Sequence, residues 1–398
     1  MSANEIASGL RYPSESEGKR DLRIDMLRGI ALVMMVVAHV EVMSVLNILT
    51  WERFGLTTGA EGFVILSGFV LGFLKRRQLQ SGSLLSVSYS LLRRAVTLYV
   101  VNVTIIISVL ILRHIEFIDT FELTHFTDRY SGIAYAMYPV SEQEKETWFN
   151  NLIFLQIGPH QSQILGLYFY LVLLSPFFLW LLYSHQIVFL VGISLMVYVY
   201  YQITQEHIIS AEFDFAFPLM AWQLIYVLGM CCGWYKEELF SLVKTRTGIF
   251  VISCMVLVSL VMFFIAQNHT NPFMPHYLLL HIIPADYVDW LYHNFAEKNK
   301  LGPLRIVNDA CLIVSTYLVM TYFWGPIYKL TGGFLIPLGQ GSLYVFILHV
   351  YIVLMVSQFV KFNFWHHDWV LNTIIHTACL IVLWAMAKYR ILRTLIPN

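Results

Sequence analysis

The sequence predicts an all-α integral membrane protein, a polytopic bundle of about ten transmembrane helices with both termini cytoplasmic. Three observations predict it. Of 398 residues, 58% are AVILMFWYC and 13% are charged, whereas a soluble domain is about 45–50% apolar and about 25% charged. The apolar residues fall in runs near the roughly 20 residues that a spanning helix needs. Lysine and arginine collect on alternate connections, the bias that marks the cytoplasmic side.

The runs lie at 24–46, 58–75, 91–113, 160–182, 186–204, 217–235, 248–267, 306–328, 341–360 and 369–390. A further apolar patch, Tyr277 to Pro284, is too short to span and is flanked by Pro275 and Pro284. It reads as a re-entrant or interfacial stretch at about 273–285. Ten spans put both termini on one side. Lys75, Arg76, Arg77, Arg93 and Arg94 form the clearest basic block there. The other side holds Arg53, Arg113, Arg129, Lys145, Lys298, Lys300, Arg305 and Lys361, about half as many cations.

Residues 1–23 are polar and read as a disordered cytoplasmic tail. No cleavable signal pattern precedes the first run, which is retained as a helix. Residues 24–391 form the transmembrane domain, and 392–398 a short cytoplasmic tail. No long polar stretch exists to hold a soluble catalytic domain. Net charge is zero, so bulk charge points to no nucleic acid. Cys231, Cys232, Cys254, Cys311 and Cys379 all fall in apolar runs without metal-ligand spacing to histidine, so neither a metal site nor a disulfide is expected. The outer connections are acidic, with Glu116, Asp119, Glu122, Asp128, Glu142, Glu144 and Glu146 in one and Glu206, Glu212 and Asp214 in another. They are also rich in histidine and aromatic residues, among them His114, His125, His160, His269, His366 and His367. Such loops suit either an interfacial aromatic belt or a wet surface for a sugar.

Ionisable groups inside the runs mark candidate sites, because they are costly in a bilayer. Arg28 and His39 stand eleven residues apart in the first run. On a helix they share one strip, about 16 Å apart along its axis. Arg28 reads either as a snorkelling residue or as a cation for phosphate or carboxylate. His39 reads either as a satisfied core histidine or as a general base or acyl carrier. Glu61 opens the second run and reaches the level of His39, where it could orient the imidazole. Glu41, two residues from His39, would point to another face of the helix. Gly62 and Gly68 would permit close packing against the first helix. His349 lies at mid-membrane in the ninth run and His376 in the tenth, where a structural role is expected for His376. Arg93 and Arg94 either satisfy the positive-inside rule or bind phosphates.

Together these residues resemble the OpgC family of membrane acyltransferases, within the wider acyltransferase 3 superfamily. The resemblance rests on Ile24-Asp25-Met26-Leu27-Arg28-Gly29, the spacing to His39, Ala60-Glu61-Gly62-Phe63 through Ser67-Gly68, and Leu92-Arg93-Arg94-Ala95. It continues through Ile164-Leu165-Gly166-Leu167-Tyr168, Ala221-Trp222-Gln223-Leu224, Leu301-Gly302-Pro303-Leu304-Arg305 and Gly341-Ser342-Leu343 to His349. The resemblance implies transfer of an acyl group from cytoplasmic acyl-CoA to a hydroxyl of a periplasmic glycan, such as an osmoregulated periplasmic glucan. Succinyl-CoA and acetyl-CoA both fit as donor, with no bound cofactor. It implies a multi-pass protein of the bacterial inner membrane, with the lipid bilayer and glucan-synthesis proteins as partners. By carry-over, Arg28 and His39 are the essential pair. Arg28, Arg93 and Arg94 would bind the donor; His39, Glu61 and His349 would be catalytic, with His349 polarising the carbonyl or positioning the acceptor. Asp25 opens the motif and reads as structural or as part of the CoA mouth. Relatives often carry a polar residue before the histidine; here it is Ala38, which puts more weight on Glu61. Two other classes compete: a transporter or flippase without acyl-transfer chemistry, and a non-catalytic scaffold for glucan synthesis.

Overall fold

A computed structural model describes residues 10–13, 20–50, 52–128, 132–139, 146–270, 276–360 and 368–392. Among them, ten helices have 16 residues or more, and each falls on one of the ten predicted runs. They are α1 (Leu22–His39), α2 (Gly59–Leu79), α3 (Leu84–Leu112), α4 (Gln163–Tyr183) and α5 (Ile187–Thr204), followed by α6 (Leu219–Trp234), α7 (Arg246–Asn268), α8 (Pro303–Tyr322), α9 (Ser342–Ser357) and α10 (Trp369–Tyr389). The only sheet among the described residues is a small antiparallel pair, His125–Thr127 with Ala134–Ala136, in the α3–α4 connection.

Among the described residues, six helices are long and apolar enough to cross a membrane: α3, α4 with its leading turn, α5, α7, α8 and α10. The count reaches seven if Trp324–Gln340 and α9, bent by 90° at Gly341, form one broken span. The other long helices have identifiable reasons to fall short. The 18 residues of α1 include Arg23, Asp25 and Arg28. Helix α2 carries Glu61 in its first turn and Arg76 and Arg77 in its last. Helix α6 has only 16 residues, and nearly all of them are buried in the bundle.

Helices α2 and α6 pack through facing small residues. A Cβ on Gly68 or Gly72 would collide with the α6 backbone at Tyr226 or Met230, and one on Gly229 or Gly233 with the α2 backbone at Ile65 or Phe69. This is a small-xxx-small interface on both helices, which lets backbones approach where lipid offers no hydrophobic driving force. Gly68 therefore serves α6 and not α1. Gly62 does face α1, at Ala31, and Gly59 abuts the Ala31 backbone.

Helix α1 stops at His39, seven residues before the predicted end of its run. Val40 is extended, with φ −84° and ψ 93°. Its carbonyl accepts from His376 Nε2 at 2.8 Å, and His376 Nδ1 lies 2.7 Å from Ser44 Oγ. Ser44 then caps a short 3-10 helix, Val45–Leu49. His376 is fully buried and holds this turn, the structural role expected of it.

The described part of the N-terminal tail, residues 10–13 and 20–23, makes contacts with the bundle. Tyr12 N–H donates to Thr321 at 2.8 Å, its ring meets Trp324 edge-on, and the Arg23 guanidinium lies 3.9 Å over it. Asp21 caps α1 and pairs with Arg23 at 2.9 Å. Residues 1–9, 14–19 and 393–398 lie outside the described residues, as do Arg129, Glu142, Glu144, Lys145, Lys361, His366 and His367. Of the patch at 273–285, residues 276–285 are described: a 3-10 turn, His276–Leu278, then an irregular stretch leading into a seven-residue helix at Ala285–Leu291. Tyr277 and Ile282 are strongly exposed there.

Candidate active site

Helices α1 and α9 are joined by two side-chain rungs. Arg28 donates through Nη2 to Ser342 Oγ, at the first residue of α9. His39 Nδ1 stands 2.8 Å from His349 Nε2, and the rings stack with centroids 5.0 Å apart. An aromatic layer lies around the path between the rungs. Phe63 is 5.5 Å from Tyr168 and 6.4 Å from Phe346, and Phe346 is 4.7 Å from the His349 ring.

The imidazole pair has a defined proton order. His349 Nδ1 faces the backbone carbonyl of Phe346, which can only accept, so Nδ1 carries the proton. In the neutral ring Nε2 is then an acceptor. His39 must donate to it through Nδ1, which leaves the lone pair of His39 on Nε2. Both nitrogens of His349 are engaged and the residue is 1% exposed. It is therefore not placed to polarise a carbonyl. Its contact is with the ring of His39.

His39 also lines a cleft with His160, Gln161, Thr50, Thr58, Phe217 and Lys298. The His160 ring stands edge-on to His39 at 6.0 Å, and His160 Nε2 is 3.3 Å from Glu41. Glu41 is buried. Because α1 ends at His39, helical geometry no longer turns Glu41 away, and its carboxylate stands within ion-pair distance of His160. Gln161 donates to the Glu122 carbonyl at 2.8 Å, tying the cleft to the outer connection. Burial, then the negative charges of Glu41 and Asp119, push the Glu122 carboxyl up to about 7.

Glu61 is not brought to His39. Its Oε2 accepts from the Thr58 backbone at 3.1 Å and from the Thr58 hydroxyl, closing a capping box on α2. Its Oε1 accepts from Arg305 Nε at 2.5 Å. Arg305 also donates to Glu52 at 2.6 Å and to the Ala296 carbonyl at 2.8 Å. It is fully buried in α8, so it is not the outer-loop cation that the sequence suggested. Burial would raise Glu52, but Arg305 and then His269 outweigh it and pull the carboxyl down to about 2. A buried guanidinium with two carboxylates is a structural lock, because losing one partner strands a buried charge. That lock claims Glu61.

At the other end, Asp25 is bound by Arg20 through two bonds of 2.6 and 2.7 Å, a structural pairing. The Nε of Arg28 is buried and has no hydrogen-bond partner among the described residues. Arg94 stands near enough to Arg28 for their charges to interact, while Arg93 is exposed and its carbonyl accepts from the Thr97 hydroxyl.

Sequence reasoning missed Glu41, His160, Lys298 and the Arg305 lock. The lock had a signal in Thr58-Gly59-Ala60-Glu61, a capping-box pattern that commits the glutamate to its own helix.

No curated protein and no solved structure matches the chain. A family model described as OpgC protein matches residues 20–394, nearly the whole length. The chain therefore belongs to the OpgC family, acyltransferase-like membrane proteins tied to glucan modification.

Proposed function

We propose that the protein is an O-acyltransferase of the bacterial inner membrane. It moves an acyl group, succinyl in the leading case, from cytoplasmic acyl-CoA to a hydroxyl of a periplasmic glycan such as an osmoregulated periplasmic glucan. In this reading α1, α2, α6 and α9 complete ten crossings, and both termini are cytoplasmic. The Arg28 end then faces the donor, and the His39 cleft opens toward the acceptor.

The observation that carries the reading is the ordered imidazole pair at the end of α1. With its lone pair on Nε2, His39 takes the proton from the glycan hydroxyl as that oxygen attacks the thioester carbonyl. The new C–O bond forms, the C–S bond breaks, and the proton passes from His39 to the departing thiolate. His349 is a positioning residue that fixes the tautomer and ring plane of His39, as a triad's third member does. Arg28 suits the anionic part of the donor: its Nε is buried without a partner, and it meets the N-terminus of α9, where the helix dipole favours negative charge. Arg94 adds charge at the same end. Phe63, Tyr168 and Phe346 suit the apolar wall along which the thioester arm would lie.

Mass spectrometry of cell-envelope glycans with and without the protein tests the reading. An acyl substituent present only with the protein supports it, and identical glycans contradict it. Release of free CoA by the purified protein separates chemistry from transport, because a flippase would leave the thioester intact.

A further inference from the structure

The α3–α4 connection reaches the His39 cleft through its small hairpin. Strands His125–Thr127 and Ala134–Ala136 pair antiparallel, with Phe126 opposite Tyr135. Directly opposed residues project from one face of such a pair, with Cβ atoms about 5 Å apart. The pairing runs on to Met137, whose N–H donates to the Thr124 carbonyl at 2.8 Å. Thr124, Phe126, Tyr135 and Met137 therefore share a face. That face is turned to the bundle. Thr124 and Met137 are buried. Phe126 is half-buried, with its ring 5.3 Å from that of His160.

Tyr135 breaks the pattern. It stands on the packed face, yet it is 51% exposed. The space beside its ring is therefore open. That space adjoins the cleft, because Phe126, its cross-strand neighbour, touches His160, a lining residue whose ring is 6.0 Å from His39. Polar groups stand at the same edge. Gln161, also of the lining, donates to the Glu122 carbonyl at 2.8 Å, and the charge of Glu41 acts on the Glu122 carboxyl. A flat ring beside carboxyl groups suits a pyranose: the electron-rich ring face meets the C–H face of the sugar, and the carboxyl oxygens accept from its hydroxyls. An aromatic belt would put its ring on the outward face of the hairpin, where Ala134 and Ala136 stand exposed instead.

We propose that Tyr135 is a stacking subsite for a sugar ring of the glycan acceptor, next along the chain from the ring that is acylated at His39. This rests on the acyl-transfer reading above. A chain whose reacting sugar lies in the cleft carries a further ring out past Phe126 to Tyr135. A single sugar held at His39 does not span to it. The subsite thus distinguishes a glycan chain from a free monosaccharide.

The test uses the full-length protein in nanodiscs with succinyl-CoA and two acceptors, a linear gluco-oligosaccharide and methyl glucoside. The readout is the ratio of kcat/KM for the two acceptors. Tyr135→Ala and Tyr135→Leu should each lower the oligosaccharide-to-monosaccharide ratio by about fivefold or more, because leucine keeps apolar bulk but not the flat face. Tyr135→Trp should hold the ratio within about threefold. Size exclusion and circular dichroism matched to wild type separate loss of the ring from misfolding. An unchanged ratio in an active Tyr135→Ala protein would overturn the proposal and leave the acyl-transfer reading standing. An equal loss on both acceptors would do the same, because the tyrosine would then serve folding or membrane anchoring. No transfer by wild type to either acceptor would overturn both.

Discussion

His39 Nδ1 and His349 Nε2 lie 2.8 Å apart across the α1–α9 contact, with the far nitrogen of His349 on the Phe346 carbonyl. Three groups in a row therefore fix which nitrogen of His39 is basic. This arrangement makes a specific demand on mutants. His349→Phe keeps an aromatic ring but removes the acceptor, so His39 loses its enforced tautomer. The kcat should fall about a hundredfold or more with little change in the KM for the donor. His349→Gln retains an acceptor oxygen and should recover part of that loss. Steady-state kinetics on the three proteins check it; equal kcat for wild type and His349→Phe would remove His349 from the mechanism.

Arg28 acts on binding in this account. Arg28→Ala should raise the KM for acyl-CoA by about tenfold or more and lower kcat less, because its rung is distant from the reacting carbon. Arg28→Lys keeps the charge but loses the planar fork, and should fall between. A fall in kcat alone, at unchanged KM, would contradict the assignment.

The Arg305 lock predicts a stability phenotype. Arg305→Ala leaves Glu52 and Glu61 buried with an uncompensated charge, a loss of about 3–5 kcal/mol. The protein should fail to yield a monodisperse peak. Glu52→Gln is milder and carries a pH signature. Glu52 is held at about 2, below its ordinary value, so it stabilises the fold above about pH 4.5. That contribution disappears as pH falls toward 2. Wild type should thus lose more melting temperature than Glu52→Gln between pH 5 and pH 3, as differential scanning fluorimetry would show.

Glu122 has the opposite sign. Its carboxyl is raised to about 7, so the folded state favours the neutral acid. The penalty of ionising it appears above about pH 4.5 and grows until pH passes about 7. Glu122→Gln removes that penalty and should raise the melting temperature at pH 8 by about 1–2 °C, with no gain at pH 4. Parallel wild-type and variant curves across this range would show that Glu122 does not titrate there.

The bundle was legible because it is written in long apolar runs, and α1 to α10 fall where those runs predict. Arg28, His39 and His349 were legible for a related reason: an ionisable residue stands out against such a run. Residues at breaks were not legible. Helical spacing turns Glu41 away from His39, but the helix stops at His39, and the stop depends on His376 from α10. Arg305 counted as a loop cation because its partners, Glu52 and Glu61, lie some 250 residues away in sequence. Lys298 sits in a connection without periodicity, and only the fold carries it to the cleft. The expected partnership of Glu61 with His39 failed because a local capping box and a remote arginine both claim the carboxylate.

The most direct test of the central claim is acyl transfer by His39→Ala. Purified wild type given succinyl-CoA and glucan should release free CoA and yield a succinylated glucan detectable by mass spectrometry. His39→Ala, folded and still binding succinyl-CoA, should lose both products by at least about a hundredfold. Transfer by His39→Ala at the wild-type rate would contradict the account.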